Sequence, residues 1–249
     1  MRLKGIALQA WTGDSVVALH VSLHEYVRLT GDRSLLDDYG DEVRRLTEGL
    51  CGVVRSGMLL LGGGWMDAMS NYVGKQCLTN QLLLYRALKL SGRNVEALTL
   101  KQRIDGIFWN PEKGYYVDVA GGDRLDALGN SLAILYGLAS KEKTVSIAEN
   151  LKEKSGRHGI LNLDRPYPRK VCGQTPHIYQ NSTIWPLVQG HVISALAEAG
   201  FHEAAQIEFR KLASLPNLNE WYTPEGEPMG SPNQLWTAAQ TIIAYQKLL

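Results

Sequence analysis

The chain has 249 residues, long enough to bury a sizeable core in one large domain or two small ones. Apolar residues make up 45% and charged residues 20%, as in ordinary globular proteins, and the net charge of +1 leaves no electrostatic footprint for nucleic acid or an anionic membrane. No apolar run reaches the roughly 18 residues that a bilayer span requires.

The stretch Met1–Ser15 begins basic but has only a short apolar segment, so it is not read as a signal peptide, and the cytoplasm is the expected location. Helical periodicity then runs through almost the whole chain. Val16, Leu19, Leu23 and Tyr26 form one stripe after Asp14, a candidate N-cap. Val43, Leu46, Leu50 and Val53 repeat the spacing, followed by Leu78, Leu82, Tyr85 and Leu88. Leu128, Leu132, Leu135 and Leu138 make a further stripe, then Phe201, Ala205, Phe209 and Leu212. Leu235, Ala238, Ile242, Tyr245 and Leu249 close the chain. With weaker segments near 94–106, 143–154 and 186–199, the pattern predicts roughly nine helices of ordinary length.

The breaks alternate in kind. Thr30-Gly31-Asp32, Ser91-Gly92-Arg93 and Ala199-Gly200-Phe201 are short, with a glycine suited to a left-handed helix end. Longer loops rich in aromatics, Gly and Pro cover 57–76, 107–125, 156–184 and 214–232. Such alternation builds antiparallel pairs into a ring or solenoid, with the long loops gathered on one face. No linker or composition shift breaks the chain, so residues 1–249 are expected to form one all-α domain. Cys51, Cys77 and Cys172 are odd in number and widely spaced, and are expected to be buried thiols of a reducing compartment.

The loops carry the candidate chemistry. In "LLLGGGWMDAM", Gly62, Gly63 and Gly64 allow close backbone approach, Trp65 offers a flat apolar face to a sugar ring, and Asp67 offers a proton. The bland alternative is a glycine connector, a core Trp and a capping Asp. "IFWNPEKGYYVDV" reads as a β-hairpin turning at Asn110–Gly114, with Asp118 its one functional candidate. In "QNSTIWPLVQG", Gln180, Asn181 and Trp185 could line a polyol site, or serve as caps and core, and Pro186 suits a first helical turn. "NEWYTPEGEPMGSPNQLW" sets Glu220 beside Trp221 and Tyr222, with Gln234 and Trp236 opening the last helix, whereas Glu225 and Glu227 look solvated. Two aromatic-flanked carboxylates, Asp67 and Glu220, match the acid and base that glycoside hydrolysis uses, at an expected separation of about 6.5–9.5 Å for inversion.

At these residues the chain resembles the (α/α)6-toroid glycosidases, above all the glycogen-debranching amylo-α-1,6-glucosidases, and is similar to the processing α-glucosidase, mannosylglycerate hydrolase and neutral invertase groups. "GGGWMDAMS" looks like their Trp-Met-Asp motif, which implies Asp67 as general acid. "QNSTIWPLVQGHVISAL" resembles their His/Gln-Asn-Gly-x-x-Trp-Pro motif, with Ser182 where glycine is common. "NEWYTPEGEPMGSPNQLWTAA" looks like their terminal Glu-Trp-Tyr motif, which implies Glu220 as general base. The resemblance implies a site of Trp65, Asn181, Trp185, Trp221, Tyr222, Gln234 and Trp236 around the acid pair, acting on a small carbohydrate without cofactor. It departs in lacking the family's upstream Gly-x-x-x-Trp-x-Arg-Asp-type segment, so a ring incomplete at its N-terminus is expected, as a fragment, a shortened domain or one subunit of a larger assembly, with exposed helix faces that favour association, as a homo-oligomer or otherwise.

Other readings compete. A glycoside phosphorylase on the same fold would use phosphate in place of Glu220, with Gly62–Gly64 as the nearest thing to a phosphate nest. A non-catalytic helical sugar-binding or scaffold module would keep the fold with a degenerate site. A sugar epimerase would need catalytic histidines, and His20, His24, His158, His177, His191 and His202 show no such motif. No metal-ligand spacing, dinucleotide fingerprint or P-loop is present.

Overall fold

The computed structural model describes residues 14–57, 62 and 64–249. Gly63, the Leu59–Leu61 run before the glycines and residues 1–13 of the stretch read as lacking a signal lie outside them. The chain divides into two compact units, Met1–Phe108 and Trp109–Leu249. Nine of the eleven α-helices among the described residues have nine residues or more, as the periodicity predicts.

The first unit holds α1 (Ser15–Thr30), α2 (Ser34–Asp38), α3 (Gly40–Arg55), α4 (Leu78–Leu90) and α5 (Asn94–Phe108). α4 is its centre and packs against α1, α3 and α5. The predicted stripe Leu78, Leu82, Tyr85 and Leu88 is buried there. On α1 the stripe is corrected: Val16, Leu19 and Tyr26 are 56%, 68% and 41% exposed, while Val17, His20 and Val21 are buried. α1 is apolar on two stripes, and α4 covers the one that carries His20. His20 Nε2 lies 2.7 Å from Ser91 Oγ. The Ser91 hydroxyl already donates to Ala87 O at 2.8 Å, so His20 supplies the N–H in that pair. Arg86 of α4 adds an ion pair to Glu25 of α1.

The second unit holds β1 (Trp109–Asn110), β2 (Tyr115–Tyr116), α6 (Ala127–Leu135), α7 (Lys141–Glu153), α8 (Arg169–Cys172), α9 (Pro186–Glu198), α10 (His202–Ala213), β3 (Trp221–Tyr222), β4 (Pro228–Met229) and α11 (Leu235–Gln246). α9, with Pro186 in its first turn as predicted, is apolar nearly all round and packs against α6, α10 and α11, as a wholly buried helix does. α11 corrects a second stripe: Leu235, Ile242, Tyr245 and Leu249 are 81%, 59%, 52% and 88% exposed. Its buried residues are the small Thr237 and Ala244. α9 and α11 meet closely at Gly190, where a Cβ would lie 2.8 Å from Gln240 Cβ and 3.0 Å from Gln240 O.

The predicted hairpin forms, pairing Trp109 with Tyr116 and Asn110 with Tyr115. Asn110 Oδ1 accepts from the N–H groups of Glu112 and Lys113, which closes the turn. Beyond it, single β-bridges stitch the loops of this unit side by side: Val117 to Leu125, Asp126 to Leu163, Leu161 to Ile184, and Ile184 to Tyr222. The loops that precede α6 and α9 and the loop that carries Glu220 are thus joined edge to edge, within one unit. All three cysteines are buried and free.

Candidate active site

Asp67 sits on a turn whose flanks are buried and whose tip is exposed. Met66 is 2% exposed and Met69 is fully buried, while Asp67 and Ala68 face solvent. Asp67 does not cap a helix, because the 3-10 turn Ser70–Tyr72 starts after Met69. The loop closes on itself through Gly62 N–H to Lys75 O at 3.1 Å, and Cys77 Sγ donates to Gly62 O at 3.2 Å. Gly64 is pressed against Asn80, whose Oδ1 would lie 2.7 Å from a Cβ there. Trp65 is half-buried in the same turn. Met66 and Met69 therefore point in while Asp67 and Ala68 between them are held out.

Glu220, in the second unit, is half-buried and held at both oxygens. The Ser231 N–H donates to Oε2 at 3.1 Å, and the Tyr179 hydroxyl donates to Oε1 at 3.4 Å. Its own N–H donates to Ser231 O at 2.9 Å, so Glu220 and Ser231 are paired through backbone and side chain at once. Gly230, at φ 69°, completes the cradle: a Cβ would lie 2.5 Å from Glu220 Oε2 and 2.8 Å from Trp221 Cδ1. No side chain fits at that position without moving the carboxylate. Each carboxylate oxygen keeps lone pairs beyond the one bond drawn to it here, so Glu220 can still accept a proton.

The aromatic residues expected around Glu220 do gather there, at different depths. Trp185, Trp221 and Tyr222 are 2%, 5% and 0% exposed, so they back the site rather than offer open faces. Trp236, tilted against Trp185 with ring centroids 6.5 Å apart, is 39% exposed. Gln234 is half-buried, and its N–H donates to Leu218 O at 2.8 Å. Tyr222 ties its own loop: its hydroxyl donates to Pro216 O at 2.8 Å and accepts from Asn219 N–H at 3.0 Å.

Asn181 and Gln180 are buried. The Asn181 amide donates to Tyr167 O and Gln174 O at 2.9 and 3.1 Å and accepts from Tyr167 N–H at 2.8 Å, so it is spent on holding the loop. Asp118 is likewise buried, and accepts from the Tyr167 hydroxyl at 2.6 Å. Burial and the Asp118 charge drive the Tyr167 hydroxyl far above the ordinary phenol range. Nothing local in the sequence marks Tyr179. The structure marks it twice, by its bond to Glu220 and by a left-handed backbone at φ 51°.

Among the described residues no group of three or more His, Cys, Asp or Glu is placed to hold a metal ion, and no helix is long and apolar enough to cross a membrane. No family model and no curated protein matches the chain. Solved structures do. A structure described as "Glycosidase Wild Type" superposes with a TM-score of 0.75 at 12% identity, over 96% of this chain and 67% of that one. The GH63 mannosylglycerate hydrolase from Thermus thermophilus, in complex with glucose, gives a TM-score of 0.54 at 18% identity, over 69% of this chain and 45% of that one. At such identities the likeness is one of fold: the chain has the helical fold of toroid-type glycosidases.

Proposed function

We propose that this protein is an inverting glycoside hydrolase acting on an α-glucosidic or similar bond of a di- or oligosaccharide, with Asp67 as general acid and Glu220 as general base. The observation that carries the reading is the Glu220 carboxylate, fixed at both oxygens in an aromatic surround on a helical glycosidase fold. In the reaction Asp67 gives its proton to the leaving glycosidic oxygen as the C–O bond breaks. Water attacks the anomeric carbon from the opposite side, and Glu220 takes the proton that water loses, so the product is the inverted anomer. Donation from Ser231 N–H and the Tyr179 hydroxyl keeps the carboxylate oriented, so little reorganisation is left to the moment of reaction. The exposed turn suits an acid that must reach an incoming leaving group. Trp236, the more open of the rings, suits the C–H face of a sugar.

The test is hydrolysis of α-glucosides followed by proton NMR of the first-formed anomer, without added metal or phosphate. Asp67→Asn and Glu220→Gln should each lower turnover by about 10²–10⁴-fold, since positioned acid or base catalysis contributes that much. A retained anomer, strict dependence on phosphate, or full activity in both variants would overturn the assignment. Phosphate dependence would favour a phosphorylase.

A further inference from the structure

Tyr179 belongs to a stretch with three non-glycine residues in the left-handed region: His177 at φ 61°, Tyr179 at 51° and Ser182 at 68°. Such backbone persists only where the surroundings over-determine it, and it gathers at functional sites. Here the surroundings are explicit. Asn162 Nδ2 donates to Gln180 O at 2.7 Å and its Oδ1 accepts from Thr183 N–H at 2.8 Å. Ser182 Oγ donates to Leu163 O at 2.8 Å, and the Tyr179 carbonyl accepts from both Thr183 Oγ1 and Trp185 Nε1. The result delivers the Tyr179 ring edge-on to Trp185 and Trp221, with centroids 5.3 and 6.1 Å away, and its hydroxyl to Glu220 Oε1. A ring that only filled space between two tryptophans would not need a hydroxyl directed at a half-buried carboxylate.

We propose that Tyr179 is a positioning residue for Glu220, fixing the carboxylate rotamer together with Ser231 so that the remaining lone pairs face the water to be activated. This rests on the reading of Glu220 as the base. Two bonds from different elements define the plane of the carboxylate: Ser231 N–H from the loop before α11, and the Tyr179 hydroxyl from the loop before α9. Removing one leaves Glu220 free to rotate about its terminal torsion, which is soft in this side chain.

Tyr179→Phe keeps both rings' contacts and the left-handed backbone and removes only the hydroxyl. It should lower kcat by about 10-fold, the size expected for one hydrogen bond to a charged group, with KM within about twofold. In a Glu220→Gln background the same change should cause no further loss, because there is no base left to orient. An unchanged kcat, an effect on KM alone, or a full additional loss in the Glu220→Gln background would overturn the proposal. If no glucoside is hydrolysed at all, the functional reading fails separately. The pairing is then read from melting temperatures of Tyr179→Phe, Glu220→Ala and the double variant: shifts that are not additive uphold it, and additive shifts overturn it.

Discussion

The loop around Asp67 and the loop around Glu220 combine burial and hydrogen bonding in different proportions. The first is anchored by apolar side chains, Met66, Met69 and Tyr72, each at most 2% exposed. Apolar anchoring is strong but non-directional, and hydrogen bonds from Gly62 N–H to Lys75 O and from Cys77 Sγ to Gly62 O close the base of the same loop. The second is fixed by hydrogen bonds from Ser231, Tyr179, Asn219 and Tyr222, which fix direction as well as distance. The difference suits the proposed roles. An acid that meets a leaving group needs reach, whereas a base that aims a single water needs orientation.

The comparison can be broken most forcefully in the first unit. Met69→Ala should cost about 2–5 kcal/mol in denaturant unfolding, as large-to-small changes in tightly packed cores do. A cost below about 1 kcal/mol would mean that the Asp67 turn is not held by its methionines. A second expected effect in the first unit is set by pH. Burial, reinforced by the nearby His24, pushes His20 down to about 4, and burial also lowers His24. A depressed imidazole means that the unfolded chain takes up a proton before the folded one does. Stability is therefore full above about pH 6.5 and falls as pH drops towards 4, by about 3 kcal/mol for His20. His20→Leu should flatten that slope, and an unchanged slope would place the dependence elsewhere. The smallest effect is expected in the second unit. Asn162→Ala leaves Gln180 O and Thr183 N–H without their side-chain partner, at about 1–3 kcal/mol. It should also loosen the loop that carries Tyr179, which amide hydrogen exchange over 177–183 would show.

The sequence discloses elements better than faces. Spacing alone finds the helices, because a 3.6-residue period is local. It misjudges which stripe of α1 and α11 is covered, because both are apolar on more than one side and the neighbour decides. On α1 that neighbour is α4, which accepts His20, a residue no hydrophobic count would place inside. On α11 it is α9, whose Gly190 leaves room for Gln240 at their closest approach, so the covered face is not the one richest in large apolar residues. The Asp67 and Glu220 loops stand out in the sequence as candidates, since each sets an acid near an aromatic residue in a glycine-bearing loop. Asn181 was legible as a polar group but not as a structural one, because its partners are backbone atoms from 167 and 174. Tyr179 was not legible, because a positive φ on a tyrosine has no signature in composition or spacing.

The chain of single bridges from Val117 to Tyr222 acts as a seam between loops. Each loop contributes one or two residues to the seam, at Leu125 and Asp126, Leu161 and Leu163, Ile184 and Tyr222, and the rest of its length hangs outside it. The turn at 223–227 can therefore gain or lose length without moving the stitch that sets the backbone beside Glu220, whereas 165–180 is tied down again by Asn181 to Tyr167 and Gln174 and by Asn162 to Gln180 O. Insertion tolerance and backbone registration fall to different parts of the same loop. New loop contents could be tried against new ligands while Ile184 and Tyr222 go on exchanging the same two hydrogen bonds, at 2.9 and 2.8 Å.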